Sequence, residues 1–166
     1  MNPRDEPSAF CMCWQTLVFI FFNDVFFYFF HLSMHHTRLY FMHKHHEYSV
    51  TTCMTPIHTH PLEHVANILA FGLPYKIVAL FYPVHMFTVL LWLVLRTVET
   101  IDGHCGYDWP WCYSNLLPMT GGSNYHFFHH TNNAGNYGSI FHFMDTLFGT
   151  DADFIRFKPE KALYLR

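Results

Sequence analysis

The sequence has few charged residues, and its cysteines form no recognisable framework. Asp, Glu, Lys and Arg make up 13% of the 166 residues, about half the share usual in a soluble domain. The formal charge of −3 gives no indication of nucleic-acid binding. The five cysteines include no CxxC pair, which argues against a zinc ribbon and against a secreted disulfide framework. Internal repeats and low-complexity stretches are absent as well, so the sequence predicts one apolar domain with reduced thiols.

Apolar residues fill much of the chain, with 19 Phe and an aromatic share of 20%. The segment from Trp14 to Phe30 is almost continuously apolar and matches the roughly 17–25 residues of a membrane helix. It has no small-residue cleavage site and runs directly into His31, which argues against a signal peptide. Asn23 and Asp24 interrupt this segment. Such polar residues are either functional groups that face the protein interior or local caps and links.

A second apolar region, from Leu62 to Val98, is too long for a single helix across a bilayer. It predicts two helices, at about Leu62–Phe81 and Val84–Val98, with Pro83 at the turn because proline disrupts a helix. A hairpin returns the chain to the side it left, so the histidines before and after it are expected to converge. Basic residues on that same side indicate that it is cytosolic.

These features predict an all-α protein of integral membrane helices. It would have a helical hairpin and a cytosolic, histidine-rich cap that binds two metal ions. The expected division is a leader over residues 1–13, a membrane domain over residues 14–151 and a solvated cytosolic tail over residues 152–166.

Histidine is the most informative residue type, with 15 copies, most of them in tight clusters. His31 and His35 are four residues apart, and His126, His129 and His130 are three and four apart, so each set projects from one face of a helix. Imidazoles that are buried together need a metal or a carboxylate to neutralise them. The clusters offer more nitrogens than one ion needs, which predicts two metal ions. The histidines expected to be ordinary hydrogen-bonded residues are His58, His64, His85 and His142.

The identity of the metal is less constrained than its presence. Structural zinc takes four ligands and usually includes cysteine, whereas this chain offers eight or nine candidate imidazoles and one nearby thiol, Cys105. Imidazole suits iron, zinc and copper alike. A two-metal site close to lipid favours iron, whose role would be to activate O₂ and oxidise a strong C–H bond.

Several stretches carry a family resemblance. They read HHTRLY, HKHHEYSV, HTHPLEH, VETIDGHCGYD, NLLPMTGGSNYHFFHH and GNYGSIFHFMDTLFGTD. The chain resembles the membrane fatty acid hydroxylase/sterol desaturase superfamily, defined by HxxxH, HxxHH and HxxHH boxes, and within it the C-4 methylsterol monooxygenases (sterol methyl oxidases). The resemblance covers about Asn23 to Asp151. The combination of ETIDxHxGYD, NLxPxxGGSxxHxFHH and FGTD is more specific than any single histidine box.

The resemblance implies a multi-pass protein of the endoplasmic reticulum membrane whose histidine clusters face the cytosol. It implies two non-haem iron ions, O₂ as oxidant, and electrons from NAD(P)H delivered by cytochrome b5 and its reductase. The implied reaction is stepwise oxidation of the 4-methyl group of a sterol precursor in sterol biosynthesis. The implied partners are the lipid substrate, the membrane and these electron-transfer proteins, with no nucleic acid.

The family's boxes also imply a set of site residues. The candidate metal ligands are His31 and His35 in the first box, His43, His45 and His46 in the middle box, His126, His129 and His130 in the last box, and His104 in the ETIDxHxGYD element. Relatives with other substrates have histidine where this chain has Asp108, so Asp108 is expected to bind metal or to orient a ligand. His60 is expected to orient a ligand.

The middle box is one residue short of the family pattern, because it reads His43-Lys44-His45-His46. Each residue of an α-helix turns by about 100°, so His43 and His46 would share a face and His45 would lie well away from it. We therefore expect His43 and His46 to bind metal, and His45 to bind weakly or to point elsewhere. Inserting one residue between Lys44 and His45 is expected to raise metal occupancy.

Two further departures bear on activity. Leu32 follows the first histidine of the first box, where the family has arginine, and about thirty residues precede His31, fewer than the family's N-terminal membrane region. With the short middle box, they keep two alternatives open. One is hydroxylation or desaturation of a fatty acyl or sphingoid chain within the same superfamily. The other is a membrane scaffold that retains metal sites without turnover.

Overall fold

The computed structural model describes residues 6–112 and 116–161, and the regular secondary structure within these ranges is helical. The α-helices are α1 (Ala9–Met34), α2 (Pro61–Ala79), α3 (Met86–His104), α4 (Gly122–Asn132), α5 (Phe143–Phe148) and α6 (Ala152–Lys161). Short 3-10 helices lie between α1 and α2, at Tyr40–Met42, Lys44–Glu47 and Thr55–Ile57. The predicted all-helical class is confirmed for the part of the chain described.

The first apolar segment forms α1, which is longer than the sequence predicts. The side-chain oxygen of Ser8 accepts a hydrogen bond from the backbone N–H of Cys11 at 3.2 Å, and such a cap stabilises a helix start. Residues 9–13 of the predicted leader therefore belong to the helix, while residues 1–5 lie outside the described part. The helix ends at Met34, which places His31 in its last turn.

The predicted hairpin is formed by α2 and α3, with shifted ends. Pro61 occupies the first turn of α2, where a missing N–H breaks no helical hydrogen bond. The ring of His85 accepts a hydrogen bond from the backbone N–H of Phe87 at 3.2 Å and so caps α3. α3 then continues beyond the predicted end at Val98 and brings His104 to the same end of the fold as His31.

The three long helices share one buried core, made of Phe19, Val78, Trp92 and Ile140. The ring of Phe71 stacks on Trp92 with centroids 5.6 Å apart. The indole N–H of Trp92 also donates to the backbone carbonyl of Phe71 at 3.2 Å, so its polar atom is satisfied inside the core. This packing fixes α1 against the hairpin and holds the histidine-bearing ends together.

Asn23 and Asp24 link α1 to a distant segment of the chain. The carboxylate of Asp24 accepts hydrogen bonds from the backbone N–H groups of Ile140 at 3.2 Å and Phe141 at 2.8 Å. The amide of Asn23 donates to Asp24 at 3.3 Å. Of the two roles that the sequence left open for these residues, the structure therefore supports the structural link.

The predicted tail begins as a helix. It forms α6, and the ring of Phe154 lies 4.9 Å from Tyr125 and 5.4 Å from Phe128. This beginning of the tail packs on α4 because aromatic rings gain by leaving water. Ala152, Asp153, Ile155 and Arg156 are exposed, so the solvated tail stays a prediction, and residues 162–166 lie outside the described part.

One helix of the described ranges, α1, has the length and hydropathy of a membrane span. Length and composition alone support that assignment, since buried helices of soluble proteins can have the same properties. The hairpin of α2 and α3 does not meet the same criterion, so the predicted multi-pass arrangement stays a prediction.

Candidate metal centre

Five histidines from three parts of the chain meet at the end of α1. One ring nitrogen from each lies within 4.8 Å of the others, and we call this group the five-histidine cluster: His31, His35, His43, His46 and His129. The Nε2 atom of His129 is at its centre. It lies 2.9 Å from Nε2 of His31 and 3.1 Å from the corresponding atom of His35 and of His46.

Backbone carbonyls determine which nitrogen of two of these rings carries the proton. Nδ1 of His31 lies 2.9 Å from the carbonyl oxygen of Tyr137, and Nδ1 of His129 contacts the carbonyl oxygen of Gly135. A carbonyl only accepts hydrogen bonds, so each Nδ1 donates and each neutral ring keeps a lone pair on Nε2. Lone pairs that face each other at this distance repel unless a cation lies between them.

Asn133, the residue that ends α4, fixes the proton of a third ring, His46, on Nδ1. Asn133 ends that helix with φ 54°, a conformation that asparagine tolerates better than most residues. Its side-chain oxygen accepts hydrogen bonds from Nδ1 of His46 at 3.2 Å and from the hydroxyl of Tyr40 at 2.9 Å. Nε2 of His46 is thereby left as the metal-facing nitrogen.

A second group, the four-histidine cluster, lies beside the first and consists of His45, His104, His126 and His130. Nε2 of His126 is 2.9 Å from Nε2 of His104 and 3.2 Å from Nε2 of His130. Nδ1 of His104 donates to the carbonyl of Thr100 at 2.8 Å, and Nδ1 of His130 donates to the carbonyl of Tyr48 at 3.2 Å. The second cluster therefore has the same inward-facing lone pairs as the first.

The short middle box contributes histidines to both clusters. It lies on a 3-10 helix, Lys44–Glu47, that follows His43, and residues three apart in a 3-10 helix point the same way. His43 and His46 accordingly stack with centroids 4.1 Å apart and face the five-histidine cluster. His45 points elsewhere, into the four-histidine cluster. Spacing alone predicts that His45 points away from His43, but the cluster that it joins depends on the tertiary fold.

Burial favours the neutral form of histidines in both clusters. Loss of solvation, followed by the nearby His45 and His104, lowers the pKa of His130 to about 2. Loss of solvation, followed by the neighbouring His129, also lowers the pKa of His46 far below its ordinary value. Because only the neutral ring has a lone pair to donate, these shifts favour the form that binds metal.

The donor sets fit a metal ion in each cluster. Nε2 of His43 is buried without a hydrogen-bond partner, and orphaned polar atoms are costly in a protein interior. Metal–imidazole bonds of about 2.0–2.1 Å would place neighbouring nitrogens of an octahedron about 3.0 Å apart, close to the observed N···N contacts. An all-imidazole set suits iron, zinc or copper, and none of the described cysteines belongs to either cluster.

Glu63 is a site residue that the sequence analysis missed. Its side chain is buried, and its Oε1 lies 2.7 Å from Nδ1 of His43 and 2.6 Å from Nδ1 of His45. From the same segment, HTHPLEH, the family resemblance implied His60 as the orienting residue. A carboxylate close to a histidine box is the signal that could have identified Glu63.

The structure does not bring the two predicted orienting residues, nor Cys105, into the clusters. Nδ1 of His60 accepts a hydrogen bond from the backbone N–H two residues later at 3.2 Å and so caps α2. Asp108 accepts a hydrogen bond from the side-chain amide of Asn124. The thiol of Cys105 donates to the carbonyl of Asp102 at 3.1 Å. Glu63, on the helix that His60 caps, is instead the residue that contacts two cluster histidines.

Asp145 holds the loop that orients His31. Its carboxylate accepts hydrogen bonds from the backbone N–H groups of Tyr137 at 2.7 Å and Gly138 at 2.6 Å, and from the hydroxyl of Thr150 at 2.6 Å. Tyr137 is the residue whose carbonyl accepts the Nδ1 proton of His31. The FMDTLFGTD segment therefore positions a cluster histidine through one intervening backbone group.

A cavity of about 190 Å³ borders both clusters. Beside cluster histidines, its lining includes apolar Phe27, Met34 and Ile140 and polar Arg96, Glu99 and Ser139. The polar three form a network in which Arg96 contacts Glu99 and donates to the hydroxyl of Ser139 at 2.7 Å. This lining gives space next to the clusters for the end of an organic molecule.

Comparison with known proteins identifies the family. The fatty acid hydroxylase family model matches residues 16–150, so this chain belongs to the fatty acid hydroxylase family. The resemblance seen in the sequence is confirmed by methylsterol monooxygenase 2-2 of Arabidopsis thaliana, which is 39% identical over 152 residues, covering 89% of this chain and 56% of the relative.

Other matching relatives are named for two different activities. Methylsterol monooxygenase 1 of Gallus gallus is 40% identical, with 87% of this chain and 48% of the relative covered. The very-long-chain aldehyde decarbonylase GL1-11 of Oryza sativa subsp. indica is 41% identical, with 84% and 53% covered. The chain thus spans about half the length of these relatives. No solved structure matches it.

Proposed function

We propose that this chain carries the di-iron centre of a membrane monooxygenase that oxidises the 4-methyl group of sterol precursors. The observation that carries the proposal is the convergence of nine histidines into adjacent clusters of five and four. The methylsterol monooxygenase relatives supply the reaction class. Burial lowers the pKa of His46 and His130, one histidine of each cluster, and so favours the neutral form that binds a resident metal.

Iron bound in the clusters would supply the activation of O₂ that oxidation of an unactivated C–H bond requires. The protein's own residues fix where this happens. Backbone carbonyls at Nδ1 and a metal at Nε2 would hold His31 and His129 in one orientation, and Asn133 would do the same for His46. Such outer contacts orient ligands and increase their basicity.

The cavity suits the reacting end of a large substrate. Ligand pockets of drug-sized molecules measure roughly 300–1,000 Å³, and the space beside the clusters is about 190 Å³. We propose that a methyl-bearing ring edge enters it while the rest of the molecule stays in the lipid. Phe27 and Ile140 would contact the apolar end, and the Arg96–Glu99–Ser139 network would exclude bulk water from one wall.

The surface supports a lipid setting for this reaction. Large apolar patches are rare on soluble monomers, yet exposed apolar side chains continue over α1, α2 and α3, among them Leu17, Phe21, Val65, Ile68, Leu90 and Val94. We propose a multi-pass position in the endoplasmic reticulum membrane with the clusters facing the cytosol. Electrons would then come from NAD(P)H through cytochrome b5 and its reductase.

A very-long-chain aldehyde is the second candidate substrate class. It is favoured by the rice relatives, which match this chain as closely as the sterol enzymes do. A linear chain end and a methyl group on a ring edge are both small enough for a cavity of about 190 Å³. The two candidate functions use the same metal centre and differ in the substrate that binds beside it.

Metal analysis and turnover of the purified full chain test the proposal. We expect about two iron ions per chain, consistent with two clusters of open all-imidazole donors. We also expect NAD(P)H- and O₂-dependent oxidation of a 4-methylsterol with cytochrome b5 and its reductase. His46→Ala serves as the metal-site variant and His64→Ala, at an exposed histidine outside the clusters, as its matched control.

The outcomes separate the candidates. Absence of bound metal would refute the proposal entirely. Conversion of a very-long-chain aldehyde without sterol oxidation would select the second candidate. Two bound metals with no turnover of either lipid would identify a scaffold that retains the sites.

A further inference from the structure

Glu63 occupies a position that joins the two clusters. It lies in the first turn of α2, is 1% exposed, and places one carboxylate oxygen against two histidine rings. One of these rings, His43, belongs to the five-histidine cluster, and the other, His45, belongs to the four-histidine cluster. A single buried carboxylate therefore contacts one candidate ligand of each metal.

The contact with His43 has the geometry of a hydrogen bond from Nδ1 to Oε1. A carboxylate that accepts the Nδ1 proton leaves the lone pair on Nε2, and Nε2 of His43 is a buried nitrogen without a hydrogen-bond partner. Nδ1 of His45 lies 2.6 Å from the same oxygen without the angle of a hydrogen bond, so this is a close electrostatic contact. A proton on this Nδ1 would leave Nε2 of His45 for the second cluster.

We infer that Glu63 is a positioning residue that couples the two metal sites, by holding His43 and His45 in their metal-binding orientations through one shared oxygen. This inference rests on the proposed function, since it requires metal in both clusters. A metal bound to His43 would fix that ring and Glu63 with it. Glu63 would then hold the His45 ring in its metal-binding orientation, so the first ion would raise the affinity for the second. By thermodynamic linkage, binding of the second ion would raise the affinity for the first by the same factor.

A purely structural role for Glu63 makes a different prediction. An acidic side chain in the first turn of a helix interacts favourably with the helix dipole, so its loss would destabilise α2 with or without metal. Under that role the two metal affinities would remain as they are in the unmodified protein. Coupling between the sites is thus the property that separates the two roles.

The test is a Co²⁺ titration of the metal-free full chain in detergent, followed by the absorption of bound Co²⁺ and by competition with a chelator. Glu63→Gln keeps the side chain's shape and removes its charge. We expect it to weaken binding of the second ion about 10–100-fold, the range typical when an outer partner of a metal ligand is lost, and to change the Co²⁺ spectrum. Glu63→Asp keeps the charge and should recover part of the coupling.

Glu47→Gln is the matched control. Glu47 also pairs with a histidine, at 3.0 Å from His58, but its side chain is 62% exposed and it belongs to neither cluster. We expect Glu47→Gln to leave the affinities for both metal ions unchanged. Thermal unfolding of each metal-free variant would separate a loss of fold from a loss of coupling.

Nitrogen-15 NMR of the unmodified protein with Zn²⁺ provides a measurement that needs no variant to fold. We expect Nδ1 of His43 and of His45 to be protonated while the opposite nitrogen binds metal. Failure of the unmodified protein to bind two ions would contradict the proposed function. Two bound ions with unchanged affinities in Glu63→Gln, or with Nδ1 of either ring on the metal, would overturn the role of Glu63 alone.

Discussion

Nε2 of His31 and Nε2 of His129 lie 2.9 Å apart, although the Nδ1 atom of each ring faces a backbone carbonyl. The carbonyls leave no proton for the space between the two Nε2 atoms, so two lone pairs point at one another across the interior. Electrostatic repulsion of this kind is relieved by a cation. The pair therefore indicates a metal position without any appeal to sequence motifs.

His129→Ala should remove most of the metal from the five-histidine cluster. His129 is the ring whose Nε2 contacts three others, so its loss takes away the central donor. We expect iron content to fall from about two ions per chain to about one, since loss of a donor weakens metal binding severely. Elemental analysis of the purified variant measures this directly.

His85→Ala is the control for that experiment. His85 caps α3 and lies outside both clusters. Loss of a cap costs about 1 kcal/mol of stability, so the variant should melt earlier with its iron retained. Equal iron content in the two variants would contradict the assignment of His129.

The helical elements and the histidines that converge were accessible from sequence because they depend on local spacing. Trp14 to Phe30 is apolar over a helix length, and His31 and His35 are four residues apart, as one helix face requires. The hairpin prediction correctly placed His104 near His31. These inferences need no knowledge of how distant side chains pack.

The contacts that orient the clustered histidines depended on tertiary packing, which sequence spacing does not encode. Glu63 reaches His43 and His45 through the placement of α2 against the middle box. Asp145 acts through a backbone carbonyl. His45 points away from His43 and His46, as the spacing predicts, but the second cluster that it joins could not be read from the spacing. In each case packing around the clusters, rather than local propensity, sets the contact.

His45→Ala and His35→Ala should each lose the metal ion of a different cluster. His45 belongs to the four-histidine cluster and His35 to the five-histidine cluster. Each variant should therefore retain about one ion per chain, and the double variant should retain almost none, because a lost imidazole lowers affinity for its own ion first. A loss that is confined to His35→Ala would mean that His45 is not a ligand.

Acid should destabilise the metal-free protein. Burial lowers the pKa of His130 in the folded state to about 2, from an ordinary value of 6.5. Between these values the unfolded chain binds more protons than the folded one, so folding stability is fully present above about pH 6.5 and is lost progressively as the pH falls below it. Thermal unfolding of the metal-free protein at pH 7.5, 6.5 and 5.5 should give falling midpoints, whereas rising midpoints toward acid would contradict it.

Asp145→Asn should loosen the five-histidine cluster without touching a metal ligand. The carboxylate accepts hydrogen bonds from two backbone N–H groups and the hydroxyl of Thr150, and an amide nitrogen cannot replace one of its oxygens as an acceptor. A buried donor left unsatisfied costs about 1–3 kcal/mol. We expect a lower melting temperature and weaker binding of one ion, with Asp153→Asn, at an exposed carboxylate, as the control.

Insertion of an alanine between Lys44 and His45 should lower metal occupancy. The sequence alone predicts the opposite, because the insertion restores the family's HxxHH spacing. In the structure the short box already places His43 and His46 in one cluster and His45 in the other. One added residue in a 3-10 helix rotates everything after it by about 120°, so His43 and His46 could no longer stack and His45 would turn away from Glu63. Iron content per chain is the measurement, with the same alanine inserted after Thr52, in the exposed stretch before the Thr55–Ile57 helix, as the control. A gain of iron in the first insertion variant would mean that the longer box, with a different local backbone, is the better metal site.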